Sequence, residues 1–168
     1  MHSKAKKMVL TALMASMVCV VTMLVQIPSP MKGYINIGDC IVLLCGWILS
    51  PAYGFVAAGL GSALADLFSG YITYAPATFI IKGCMALIAF ACVKFLPQKM
   101  GKFPKQLIGG VCAELWMGAG YFLFEGILYG FVPSLVNIPA NLIQGAAGLL
   151  VGLLLIKLLE RLKITVDW

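Results

Sequence analysis

The stretch Gly59–Gly83, GLGSALADLFSGYITYAPATFIIKG, decides how this chain is read. A small-residue apolar segment ends in an acid, Asp66. A short turn of Ser, Gly, Tyr and Pro follows. The next apolar segment carries a base, Lys82, sixteen residues after the acid. Two apolar segments reversing around a turn form the pattern of a membrane hairpin. An ionisable side chain in hydrocarbon costs about 3 kcal/mol on insertion scales unless it is paired or hydrated. Asp66 and Lys82 are therefore either a structural ion pair or part of a binding site.

The rest of the chain agrees with that setting. Of 168 residues, 62% are hydrophobic and 11% charged, and the mean hydropathy is +1.02. A water-soluble domain of this length cannot hide so much apolar surface, so the class is a polytopic membrane protein forming one domain, 1–168. The formal charge of +6 does not describe a nucleic-acid surface. Lys4, Lys6 and Lys7 precede the first apolar run. Lys94, Lys99, Lys102 and Lys105 surround one central break, and Lys157, Arg161 and Lys163 close the chain. Such clustering is topology information. The run Met8–Val25 has no clear small-x-small cleavage site and is long enough to span, so it reads as a retained helix. The six cysteines lie in apolar segments without a CxxC pair and read as packing residues.

Hydropathy and breakers predict an all-α membrane protein of six helices, at about 8–26, 38–50, 52–68, 76–96, 105–130 and 138–162. The second segment is short for a core about 30 Å thick. It is either half of a tight hairpin with the third or a helix shielded by protein. An even span count puts both termini, and with them all three basic clusters, on one side. The positive-inside rule makes that side cytoplasmic.

With this topology the embedded polarity collects in the outer half. Asp39, Asp66, Lys82 and Glu125 are placed there, with Glu114 near the middle of the fifth helix and Asn36 and Tyr34 in the first outer connection. Glu114, Gly118, Tyr121 and Glu125 form one helix stripe, and Asn137, Asn141 and Gln144 form another. Two polar stripes on consecutive helices suggest a shared pocket that hydrogen-bonds a small polar ligand. Tyr34, Tyr71, Tyr74, Trp116 and Tyr121 are available to stack on a ring. Each feature also has a plainer reading. Asp39 can cap the second helix, Asn141 and Gln144 can join helices, and aromatics near helix ends can belong to an interface belt. The candidate substrate-binding set is Glu114, Asn141, Gln144, Lys82, Asp66, Tyr121, Tyr74, Asn36 and Tyr34. In the first helix, Thr11/Ala15 and Ala12/Ser16 are small-xxx-small pairs, suited to internal packing or to docking a partner.

Catalysis has little support. The only histidine is His2, in the N-terminal tail, and neither a GxSxG motif nor a helical metal pair occurs. No GxxxxGK[ST] loop is present, so any ATPase would be another chain. Nothing calls for a cofactor or a metal. A stand-alone proton-coupled permease using Glu114 and Asp66 remains an alternative.

One order of residues resembles a known family. Gly38-Asp39 is followed by Ser50-Pro51-x-x-Gly54, then Ala63-Leu64-Ala65-Asp66-Leu67-x-Ser69-Gly70-Tyr71. Tyr74-Ala75-Pro76-x-Thr78-Phe79-x-x-Lys82-Gly83 and Pro139-x-Asn141-x-x-Gln144-Gly145 come next. The sequence is similar to S components, the substrate-binding membrane subunits of energy-coupling factor (ECF) vitamin transporters, over nearly the whole chain. The resemblance implies a bacterial cell membrane location. It implies capture of a vitamin from outside in a pocket of outer helix halves, capped by the 27–37 connection with Pro28, Pro30, Gly33 and Tyr34. It implies docking through the first helix, where the family's AxxxA-like motif reads Ala12-Leu-Met-Ala-Ser16, onto a transmembrane coupling subunit with two ATPases. The branch it resembles implies a ligand of the pyridoxine (vitamin B6) or hydroxymethylpyrimidine type, with riboflavin binders nearby.

Overall fold

The computed structural model describes residues 4–29 and 33–162. His2, Pro30 and Lys163, which figured above, lie outside the described residues. The order is α1 (Lys4–Leu24), β1 (Ile27–Pro28), β2 (Tyr34–Ile35), α2 (Asp39–Ile48), α3 (Pro51–Phe68), α4 (Ala75–Phe95), α5 (Lys102–Tyr129), α6 (Phe131–Ser134), a 3-10 turn (Leu135–Asn137) and α7 (Ile138–Arg161). The protein is an all-α membrane protein with one small β-ladder. Five helical stretches are long and apolar enough to cross a bilayer: α1, α3, α4, α5 and the stretch from α6 through α7.

The helix boundaries follow local chemistry. Prolines stand in the first turn of α3, α4 and α7, where the missing N–H removes no helical bond. Gly130, at φ 95°, ends α5 in a conformation that side chains rarely adopt. The 131–137 segment, expected to be a loop, instead forms the short helix α6 and a 3-10 turn. Pro133 is tolerated there because the segment is too short to need its N–H.

The ten-residue α2 rises about 15 Å, half the hydrocarbon thickness. Eight of its residues, Asp39–Gly46, are buried. It is therefore the protein-shielded helix of the two alternatives above, packed against α4 and α7, with α1 and α3 also in contact. Val42, Leu43 and Cys45 are fully enclosed, and with Val18, Met85 and Met117 they form the center of the core. At Gly46 a side chain would run into the Ala86 carbonyl oxygen. Small residues let backbones approach where lipid gives no hydrophobic drive. Leucines, isoleucines and valines such as Leu13, Ile80, Leu123 and Leu154 point outward, as a lipid-facing surface requires.

The two small-residue pairs of α1 lie in different surroundings. Thr11 and Ala15 of α1 are buried, and a side chain at Gly61 of α3 would strike the Ala15 carbonyl oxygen. That pair packs within the chain. Ala12 and Ser16, one residue on, are exposed. The 100° step of a helix separates the two pairs onto different faces.

Candidate functional site

The connection between α1 and α2 folds back over the helix ends. Ile27 pairs with Ile35 and Pro28 with Tyr34 in an antiparallel ladder. The turn is closed by Ser29 N–H donating to the Gly33 carbonyl at 3.1 Å. The hairpin is pinned at three points. Tyr34 OH donates to Asp66 Oδ1 of α3 at 2.6 Å. Asn36 N–H donates to Gln144 Oε1 of α7 at 3.0 Å. Beside it, Gln26 Nε2 donates to Ser69 Oγ at 2.7 Å. Burial, then the adjacent Asp66 carboxylate, push the Tyr34 phenol above its ordinary pKa, so it stays a donor.

Beneath the hairpin lies a cavity of about 40 Å³, room for a few water molecules. Its walls are polar and aromatic. Tyr34, Asn36, Asp66, Tyr71, Tyr74 and Thr78 come from the hairpin, α3 and the start of α4. Tyr121, Glu125, Asn137, Asn141 and Gln144 come from α5 and α7. Tyr34 and Tyr71 rings sit 4.8 Å apart, and Tyr71 meets Tyr74 edge-on at 6.3 Å. Glu125 Oε1 accepts from Asn137 Nδ2 at 2.9 Å and from Tyr74 OH at 3.4 Å. Thr78 and Tyr121 share a hydroxyl–hydroxyl bond at 3.1 Å.

The suggested Asp66–Lys82 pair is not formed. Lys82 Nζ pairs with Asp39 Oδ1, and both side chains are buried. Asp39, fully buried, is thus more than a helix cap. Gln144 Nε2 donates to its other oxygen, Oδ2, at 2.7 Å. The ring face of Tyr121 lies 5.6 Å from Lys82 Nζ. Asp66 belongs to the hairpin instead. The sequence put Lys82 sixteen positions from Asp66, whereas its partner lies 43 residues upstream, on the buried α2.

Seven of the nine candidate substrate-binding residues line the cavity: Tyr34, Asn36, Asp66, Tyr74, Tyr121, Asn141 and Gln144. Lys82 and Glu114 do not. Glu114 shares the stripe of Tyr121 but stands seven residues, about 10 Å, further along the axis. It lines a second, largely apolar groove of about 190 Å³ between α5 and α7, with Leu115, Gly118, Ala119, Phe122, Ile138, Asn141 and Leu142. Both its carboxylate oxygens are buried without a partner among the described residues. A side chain at Gly145 or Gly148 of α7 would come within 3.2 or 3.3 Å of them. Asn141 alone touches both spaces. Thr78, Ser29 and Ile35 were not singled out as site residues, yet they line the cavity. Thr78 stands one helical turn before Lys82, so the i, i+4 spacing was a usable signal.

Sequence comparison matches the family described as the S component of the ECF-type riboflavin transporter over residues 2–161. A Pyrococcus woesei protein, described only as an uncharacterized protein in a gap 3′ region, is 34% identical over 136 residues, covering 80% of this chain and 88% of its own. The thiamine precursor transporter HmpT of Lactococcus lactis subsp. cremoris (strain MG1363) is 24% identical over 166 residues, covering 95% and 91%. Among solved structures, an S component of a bacterial ECF transporter has the same fold, with a TM-score of 0.75 at 22% identity over 95% of this chain and 98% of that one. S components are substrate-binding subunits of vitamin transporters and not enzymes. With its sequence matched over nearly the whole length, the chain belongs to the ECF-type riboflavin transporter S component family.

Proposed function

We propose that the cavity under the hairpin captures a single-ring vitamin or vitamin precursor, of the pyridoxine or hydroxymethylpyrimidine type, from outside the cell. A coupling subunit and two ATPases then drive its uptake. The observation that carries this reading is the cavity itself, small and lined by four tyrosines beside amide and carboxylate groups. Tyrosines 34, 71 and 74 offer ring faces, and Asn141, Gln144 and Asp66 offer hydrogen bonds. Lys82 and Asp39 brace the floor without touching the ligand. Counting the short α2 with the five long stretches gives six segments, and with the positive-inside rule this reading puts the basic clusters inside and the hairpin outside.

Size supports one ring over three. A cavity of about 40 Å³ must widen for any ring, and toward the hairpin it adjoins a further space of about 420 Å³ that shares Ser29, Gly33, Tyr71 and Tyr74 with it. A flavin would demand far more displacement than a pyrimidine. The name of the Lactococcus relative, a thiamine precursor transporter, points the same way.

The test is to purify the protein in mild detergent from cells grown in rich medium and identify co-purifying small molecules by mass spectrometry. A stoichiometric single-ring vitamin or precursor is the expected result. Stoichiometric riboflavin would overturn the ligand class. An empty protein whose melting temperature no B vitamin raises would overturn the binding role.

A further inference from the structure

The cavity contains two buried carboxylates and no cation among its described lining residues. Asp66 is 5% exposed and Glu125 3%. Each commits one oxygen to the protein: Asp66 Oδ1 to Tyr34, and Glu125 Oε1 to Asn137 and Tyr74. The second oxygen of each, Asp66 Oδ2 and Glu125 Oε2, is buried and has no hydrogen-bond partner within bonding distance among the described residues. A buried acceptor left without a donor is costly, and native structures seldom keep one without a reason. Two of them, on α3 and α5, border one small cavity. The basic side chain within this network, Lys82, is already engaged by Asp39.

Resting on the proposed role of this cavity as the ligand site, we infer that the ligand is a heterocycle presenting hydrogen-bond donors at two separate edges, at least one of them an amine or a protonated ring nitrogen. One donor meets Asp66 Oδ2 and the other Glu125 Oε2. Carboxylate and phosphate-ester forms of the same rings are excluded, because they bring negative charge and acceptors to a site that already has both. The inference separates the two candidate ligands by their exocyclic donors: the aminopyrimidine carries an amine at a ring edge where pyridoxine, whose protonated ring nitrogen is also a donor, carries only hydroxyls.

The test is isothermal titration of the full-length protein in detergent with matched compounds. One pair is 4-amino-5-hydroxymethyl-2-methylpyrimidine and its 4-hydroxy counterpart. A second series is pyridoxamine, pyridoxine and pyridoxamine 5′-phosphate. The amine of each series is expected to bind roughly tenfold tighter than its hydroxyl counterpart, the scale of one charge-assisted hydrogen bond. The phosphate ester should show no binding. Asp66→Asn and Glu125→Gln, which keep side-chain shape, should each shrink the amine preference to less than about threefold while the hydroxyl compounds still bind. Equal binding of amine and hydroxyl forms, or tight binding of the phosphate ester, would overturn the inference. Failure of every compound to bind a protein that still melts cooperatively would instead overturn the ligand-site reading, and this inference with it.

Discussion

Gln144 and Asp39 are 105 residues apart and joined by a 2.7 Å hydrogen bond from Nε2 to Oδ2. The same glutamine accepts the Asn36 backbone N–H through Oε1. One side chain on α7 thus ties the buried end of α2 to the hairpin over the cavity. Replacing it exposes two buried partners to a loss of about 1–3 kcal/mol in all. Gln144→Ala should lower the melting temperature and weaken ligand binding together. A variant that binds and melts like the parent would remove Gln144 from this role.

Lys82 and Asp39 are both buried, so breaking one side leaves an uncompensated charge in the core. Lys82→Met alone should destabilise by about 3–5 kcal/mol. Adding Asp39→Asn should restore much of that loss, because the remaining groups are neutral. Thermal unfolding of both singles and the double, read as a mutant cycle, checks the coupling. Additive losses would mean that the pair contributes nothing jointly.

Tyr34→Phe keeps the ring against Tyr71 and removes only the bond to Asp66. The hairpin then loses one of its pins, a change worth about 1–2 kcal/mol. The effect should appear as faster ligand dissociation, measured by stopped-flow, with the melting temperature lower by only about 2–8 °C. An unaltered off-rate would show that the hairpin does not limit escape.

Glu114→Gln should leave affinity within about threefold, since the side chain lies outside the cavity and an amide of the same shape carries no buried charge. Titration of the variant decides it. A tenfold loss would bring Glu114 back into the ligand site.

Ala12→Leu with Ser16→Leu should leave ligand binding intact and prevent assembly with the coupling subunit and its ATPases. Co-purification of the complex is the readout. Full assembly would move the docking face elsewhere. Thr11 and Ala15 are unsuitable for this test because their burial against α3 makes any enlargement a folding defect.

Much of the fold was legible because membrane helices announce themselves by length and apolarity. The boundaries of α3, α4 and α7 fell within a residue or two of expectation, each marked by proline. The short α2 was visible, but its lack of lipid contact was not, since a buried helix and a spanning one differ in surroundings and not in composition. Seven cavity residues were legible from polarity and helical spacing. The partner of Lys82 was not, because the pairing joins α2 to α4 in space while the sequence offers a nearer acid. Glu114 lies outside the cavity for a related reason. Angular periodicity says which side of a helix a residue faces, but it is silent about depth.

The ten-residue α2 also carries a consequence for synthesis. Its length is about half a membrane crossing, so it cannot leave the insertion machinery alone as a stable span. Its first residue is an acid whose countercharge, Lys82, emerges 43 residues later. Until α4 has been made, the nascent chain holds that carboxylate without its countercharge, on a helix whose first eight residues have no protein to bury them. The ion pair at the centre of the bundle therefore forms only after α3 and α4 have been synthesised.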